Sequence, residues 1–134
     1  MAKESGLGMT ISVDDSGGVA RAIGNDIPSV VFATPRGVQD VTGINKSAIE
    51  RILLLADFTI TITGVFNDAA NLGHDVFKTV PSTSVARTTT IVHSGQTLPG
   101  EILYSDYSFT RAATGELTYT APGALGDGTV PTWA

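Results

Sequence analysis

Asp57-Phe58-Thr59-Ile60-Thr61-Ile62-Thr63-Gly64-Val65-Phe66 decides how the chain is read. Phe58, Ile60 and Ile62 alternate with Thr59, Thr61 and Thr63. A period of two belongs to a strand with one apolar face and one Thr face. Gly64 interrupts the alternation, so Val65 and Phe66 are read as out of phase or beyond a bulge. The rest of the chain has the same character. Its 18 threonines are stiff at χ1 and suit a pleated strand, while 15 glycines and 6 prolines supply turns.

Working outward, Met9 to Val13 and Val19 to Ile23 flank Asp14-Asp15-Ser16-Gly17-Gly18, a natural hairpin loop. Ile27 to Ala33 is apolar, with Pro28 placing its start at an edge. Val85 to Val92, Glu101 to Thr110 and Gly115 to Ala121 read as further strands. In Glu101 to Thr110 the reading puts Ile102, Tyr104 and Asp106 on one face. Short strands at this spacing predict a mainly β fold, a β-sandwich or barrel. One helix is expected beside it, over Asp68 to Val80, where Ala69, Leu72, Val76 and Val80 recur at helical spacing. Asn67 or Asp68 can cap it, Pro81 stops it, and Gly73 inside it costs about 1 kcal/mol relative to Ala. Ser47 to Ala56 fits two readings. Ser47-Ala48-Ile49-Glu50 has the form of a capping box, yet Ile49 to Ile52 can equally be a strand that bends into Asp57.

At 134 residues the chain is one domain long and can bury roughly two-thirds of its extended surface in one core. The hydrophobic fraction of 42% against 16% charged residues excludes a disordered chain. The absence of cysteine excludes disulfides, thiolate metal sites and cysteine nucleophiles. The longest apolar run, Ile52 to Ala56, is far short of a membrane span, and no apolar core follows Met1 to Ser5 as in a signal peptide. A net charge of −5 argues against a protein that grips phosphates, because that affinity comes from counterions released around Lys and Arg.

No catalytic set emerges. Asp15-Ser16-Gly17-Gly18 echoes the nucleophile turn of trypsin-like proteases, but no His precedes Ser16 and the residues suit a hairpin turn. His74 and His93 are the two imidazoles, and neither has zinc-ligand spacing to carboxylates. Asp14, Asp15 and Ser16 lack the rest of a calcium loop. The 13 carboxylates are scattered, and Gly6-Leu7-Gly8 is too short for a phosphate loop. The expectation is a non-enzyme with no cofactor and no metal.

Taken in order, several segments resemble the major tail protein, or tail tube protein, of long-tailed, non-contractile bacteriophages. They are an N-terminal strand, Ser16-Gly17-Gly18, Asn25-Asp26-Ile27 and Asp40-Val41-Thr42-Gly43. Then come Ala56 to Asn67 with its Gly-hydrophobe-Phe-Asn ending, a His-bearing helix from Asp68, the Arg87-Thr88-Thr89-Thr90 strand and the strand pair from Gly100 to Thr120. The resemblance implies the tail tube fold, a β-sandwich-like barrel with one flanking helix. It implies six copies in a ring, rings stacked into a hollow tube, and strands of neighbours continuing into one sheet around a channel that conducts the viral genome. Ala33 to Ala56 becomes a long loop with Ile49 to Ile52 extended, and loop and terminal arms bridge rings. It further implies a virion tail location after synthesis in the host cytoplasm, tape measure and tail terminator proteins as partners, DNA that passes without specific binding, and no membrane.

The expected layout is a flexible arm at residues 1–8, the β domain at 9–121 and a C-terminal arm at 122–134. The residues expected at subunit contacts are Phe58, Ile60 and Ile62 of the alternating strand, Arg51, and Pro131 with Trp133 in the arm. An unsupported Trp on a Gly/Pro-rich tail exposes a large apolar surface and is a common interface anchor. The competing expectation is that this arm folds back on its own sheet. A capsid decoration protein or adhesin-type binding module shares the composition and is the alternative reading; a small hydrolase is disfavoured by the missing catalytic set.

Overall fold

The computed structural model describes residues 3–134. Met1 and Ala2 of the expected N-terminal arm lie outside the described residues, and Lys3 to Gly8 are exposed and belong to no strand. The first hairpin joins β1 (Thr10–Asp14) to β2 (Ala20–Ala22). Its turn is built by Asp15, whose Oδ1 accepts the N–H groups of Gly17 and Val19 at 2.9 and 3.0 Å, while Gly18 takes a φ of +82°. That is an Asx-type turn, and Ser16 is simply part of it.

β3 (Ser29–Ala33), β4 (Arg36–Asp40), β5 (Arg51–Ala56) and β6 (Thr59–Val65) follow. After β6 comes the short helix α1 (Gly73–Phe77), then β7 (Arg87–His93), β8 (Gln96–Tyr104), β9 (Ser108–Arg111) and β10 (Leu117–Leu125). The strands pair in the order β2-β1-β7-β8-β10-β6-β3, with β9 beside the first half of β10. Every pairing is antiparallel. The sheet curls round a core that includes Val13, Ile23, Phe58, Ile60, Ile62, Ile91, Leu98, Ile102 and Tyr119, closed on one flank by Val76 and Phe77 of α1. Among the described residues no helix is long and apolar enough to cross a membrane.

Four expectations change. β6 runs regularly to Val65, with Gly64 buried on the apolar face and no bulge in its pairing with β10. The helix is five residues long rather than thirteen. Asn71 sits at φ +65° with its N–H on Asp75 Oδ2, and Leu72 is extended, so no helical turn can form before Gly73. Leu72 is half-buried, whereas Val76 and Phe77 are fully buried as the helical face requires. The strand read over Glu101 to Thr110 is broken into β8 and β9. Between Tyr104, opposite Gly123, and Ser108, opposite Thr120, three residues face two, a one-residue bulge beside Pro122, which has no N–H to offer the ladder. The bulge reverses the phase, so Tyr107 points inward and Asp106 stays outside. Finally, β10 runs from Leu117 through Leu125, past Ala121 where the last strand was expected to end.

The last residues fold back on their own subunit. Gly126 donates to the Glu101 carbonyl, and Ala134 and Thr97 exchange two backbone hydrogen bonds, extending the free side of β8.

Candidate assembly surfaces

β4 and β5 form a separate two-stranded ribbon that stands off the main sheet. The capping-box reading of Ser47 to Ala56 is overturned: Arg51–Ala56 is a strand, paired Val38 to Leu53, Gln39 to Ile52 and Asp40 to Arg51. The far end of the ribbon is clamped by Thr42. Its Oγ1 accepts the Glu50 N–H at 2.8 Å, its N–H bonds Asp40 Oδ1 at 2.9 Å, and Val41 donates to the Glu50 carbonyl. The Thr42 hydroxyl and N–H together hold the Asp40 carboxyl below the usual carboxylate range.

Residues directly opposite in an antiparallel pair share a face. One face of the ribbon therefore carries Val38 and Leu53 and the other Ile52 and Leu54, while the register shift between Arg36 and Val38 leaves Leu55 at a bulge, outside this alternation. All five are exposed, Leu55 at 91% and Leu53 at 57%. Val41, Ile44 and Ile49 add further exposed aliphatic surface near the tip. A two-stranded hairpin is marginal on its own in water, and one with apolar side chains on both faces exposes surface that elsewhere marks an interaction site.

Three of the six residues expected at contacts are elsewhere. Phe58, Ile60 and Ile62 have 0, 2 and 0% of their surface exposed. Their strand is flanked by β10 and β3, so they form the subunit's own core and present nothing to a neighbour. Arg51 lies on the exposed ribbon opposite Asp40. Pro131 is half-buried and lines a cavity of about 250 Å³ with Pro99, Gly100 and Val130. Trp133 is 47% exposed, its ring 6.2 Å from that of Phe32 at 51°. The structure thus brings Pro131 and Trp133 against their own subunit. The aliphatic ribbon residues were missed by residue-by-residue reading. The available signal was the run Ile52 to Ala56, apolar at every position where a half-buried strand alternates.

Strand edges form a second kind of surface. Among the described residues, the outer edges of β2, β3 and β9 have no ladder partner. β3 and β9 bound one four-stranded half of the sheet, β3-β6-β10-β9, on its two sides. Val31 on β3 is 67% exposed.

Among the described residues the polar side chains build no catalytic arrangement. His74 Nδ1 lies 3.1 Å from Tyr107 Oη, with its ring 4.9 Å from that of Phe66. Burial pushes the Tyr107 phenol up to about 12. Arg87, 1% exposed, donates to the carbonyls of Val76 (2.9 Å) and Asp14 (3.3 Å) and to Thr79 Oγ1 (2.8 Å), tying β7 to the end of α1 and to β1. Among the described residues no group of three His, Cys, Asp or Glu is placed to hold a metal ion.

No family model matches the chain, and no curated protein matches it in sequence. Solved structures do match. A chain in the virion of a native gene transfer agent particle superposes with a TM-score of 0.78 at 15% identity, covering 98% of this chain and 99% of that one. A chain in the tail of an empty gene transfer agent particle, refined with helical methods and C6 symmetry, gives a TM-score of 0.78 at 17% identity, covering 98% of each. Over nearly its whole length, then, this chain has the fold of a chain found in the tail of the gene transfer agent particle.

Proposed function

We propose that the chain is the repeating subunit of a virus-type tail tube. Six copies close a ring, rings stack into a hollow tube in the virion tail, and the genome passes along the channel. The observation that carries this reading is the β4–β5 ribbon, aliphatic on both faces and left in water by the single chain. A ribbon of this kind is at home between protein surfaces, and at about 25 cal/mol per Å² its covering gives a substantial drive to self-association.

Two further features support it. Free edges at β3 and β9 allow head-to-tail edge pairing, which closes if the rotation per subunit is right. The C6 symmetry of the gene transfer agent tail supplies a model for that rotation. Six four-stranded halves, with a strand spacing of about 4.8 Å and a tilt of about 40°, close into a wall roughly 45–50 Å across. Tape measure and tail terminator proteins are the further partners this reading brings, at the tube interior and end.

The test is assembly. The purified chain at high concentration should show rings or tubes by electron microscopy and sedimentation. Ile52→Asp with Leu53→Asp, one charge on each face of the ribbon, should abolish stacking and leave the melting temperature within about 1 kcal/mol equivalent of the parent, as exposed sites do. A parent chain that stays monomeric at millimolar concentration sinks the proposal, as does a double variant that still stacks.

A further inference from the structure

Two hydrogen bonds fix the backbone phase of the open edges of β9 and β3. In an antiparallel ladder, one residue bonds its backbone to the neighbouring strand and the next turns its N–H and C=O to the other side. Ala112 donates to the Glu116 carbonyl, one step beyond the Arg111–Leu117 pair. Ser108 and Thr110 therefore bond β10, while Phe109 and Arg111 turn their backbone groups to the open edge. Asp57 donates to the Pro35 carbonyl, two steps beyond the Ala33–Thr59 pair. Ser29, Val31 and Ala33 therefore bond β6, and Val30 and Phe32 hold the free groups of β3.

Side-chain direction adds a second condition. Phe109 lies opposite the buried Tyr119 and Phe32 opposite the buried Ile60, so both rings are on the core side of the sheet. Thr110 and Val31 are on the outward side. Strand directions alternate from β3 to β9, so the β3 of a second copy laid beside β9 is antiparallel to it. Both conditions together allow only registers that differ by two residues.

The stagger of a closed barrel chooses among them. Within one subunit Ser29, Thr63, Thr120 and Ser108 lie on one line across the strands. At the usual strand spacing, rise and tilt, that line advances by about four to six residues for every four strands. An advance of four sets Ser108, Phe109, Thr110 and Arg111 opposite Ala33, Phe32, Val31 and Val30 of the partner subunit, and all of β9 lies on β3. An advance of six pushes half of β9 past the end of β3, onto Thr34 and Pro35. An advance of only two sets the free backbone of Arg111 against Pro28, which has no N–H. Stagger of the opposite sense takes β9 off the strand altogether.

In the register that fits, rings meet. Phe109 is 44% exposed, with Tyr107 and Phe66 behind it at 4.5 and 5.9 Å between ring centroids. Phe32 carries the ring of Trp133 beside it, itself 47% exposed. We infer that two copies of the chain join by laying β9 on the partner's β3 in this register, sealed on the core side by Phe109 against Phe32 and Trp133 of the partner subunit. The inference rests on the tube reading above. It adds the register, and it assigns Trp133 a place in the contact although the tail is folded on its own subunit: its covered side lies on Phe32 and its open side takes a ring from the next copy. Aromatic contacts of this kind contribute beyond the area they bury, and Trp is a frequent anchor of interfaces.

The chain has no cysteine, and Trp133 is its one tryptophan. In this register Thr110 and the partner's Val31 share no backbone bonds, which sets their Cα atoms about 4.5 Å apart, within disulfide reach. Inside one subunit the two lie on strands at opposite borders of the half-sheet and cannot meet. Rings of Thr110→Cys with Val31→Cys, assembled under reduction and confirmed by microscopy, should give covalent ladders up to the hexamer on oxidation. Thr110→Cys with Ser29→Cys, or with Ala33→Cys, is two residues out of register and should crosslink at least tenfold more slowly. Equal crosslinking in a shifted pair, or none in the Val31 pair, overturns the register; so does loss of rings in the Val31 pair while the shifted pairs assemble. A second readout uses the parent chain alone. Acrylamide should quench Trp133 fluorescence in the free subunit and lose most of that effect once rings form. Rings in which Trp133 stays as accessible as in the free subunit overturn the aromatic seam. A parent that forms no rings defeats the tube reading itself, which microscopy shows before either readout is taken.

Discussion

The phenol of Tyr119 occupies the space where a side chain on Gly64 would begin. A Cβ added to Gly64 would fall 2.5 Å from Tyr119 Cζ and Oη, and one added to Gly73 would fall 2.8 Å from the same hydroxyl. One tyrosine from β10 therefore accounts for a glycine near the end of β6 and another at the start of α1. Both are costly places for glycine on propensity alone. The Tyr119 hydroxyl is buried with no hydrogen-bond partner, and burial pushes its titration far above the usual phenol range.

Gly64→Ala and Gly73→Ala should each destabilise the fold by about 1–3 kcal/mol through overpacking. The two differ in how they are rescued. At Gly73 the close contact is with the hydroxyl alone, the ring atoms being 3.5 Å or more away. Tyr119→Phe should therefore relieve Gly73→Ala and leave Gly64→Ala uncured, because the Gly64 contact includes Cζ and Cε1. Urea melts of the parent, the three single variants and the two double variants form the two cycles that check this. Equal rescue of both alanines would contradict the geometry.

Tyr119→Phe by itself should be neutral or slightly stabilising. Removing an unpartnered buried hydroxyl removes a desolvation penalty and breaks no bond. A loss of more than about 1 kcal/mol in the same melts would mean that the hydroxyl has a partner.

Arg87→Met should cost about 1–3 kcal/mol, since it strips the Val76 carbonyl and Thr79 of their donor in a buried setting. Arg87→Lys should recover little of this, because one ammonium cannot span acceptors on α1, the following turn and β1 as a planar guanidinium does. Thermal melts check the order, parent above lysine above or equal to methionine. A lysine variant that melts with the parent would show that charge alone matters.

The Asp15 carboxyl is held below the usual carboxylate range, first by the Val19 N–H, then by the Arg21 side chain and the Gly17 N–H. A depressed folded value contributes stability that is fully present above about pH 4 and is lost as pH falls through the lowered value. Asp15→Asn should flatten that part of the acid limb and leave the slope above about pH 5 unchanged. Denaturant melts from about pH 2.5 to about pH 6 compare the two slopes.

Trp133→Ala should lower the melting temperature of the unassembled subunit by about 3–5 °C, the equivalent of about 1 kcal/mol for a half-buried ring against Phe32. At least this loss is expected for a chain ending after Gly126, which also gives up the Ala134–Thr97 pair. An unchanged melt would show that the tail adds nothing to its own subunit.

Local pattern reported some of this and missed the rest for identifiable reasons. The Phe58 to Thr63 alternation and the Asp15 turn are short-range signals, and both strands formed where they were expected. The alternation shows that Phe58, Ile60 and Ile62 are covered, but not by what; here the cover is the chain itself, not a neighbour. In Ser47 to Ala56 the apolar spacing satisfies a helix and a strand alike. The decision falls to Val38, fifteen positions before its partner Leu53, which no local window contains. The bulge at Ser105 to Tyr107 likewise depends on Pro122 in a strand that has not yet begun. The threonine content was visible as composition, whereas the scarcity of charge across β3, β6, β9 and β10, where Arg111 is the single charged side chain, is a property of four strands set side by side.

The ribbon joins β3 to β6, and these two strands are themselves paired, Ser29 with Thr63 through Ala33 with Thr59. Pro35 and Asp57 keep the backbones linked across the break, by a hydrogen bond of 2.9 Å. Mechanically the four strands are one long, jointed hairpin rooted in the sheet. A pull on the ribbon tip draws β3 and β6 together along their axes. It loads the ladder from Thr118–Val65 to Ala124–Thr59 in shear, so that its seven residue pairs resist at once instead of unzipping in turn. A subunit built this way can take tension through its projection without starting to unfold at the root.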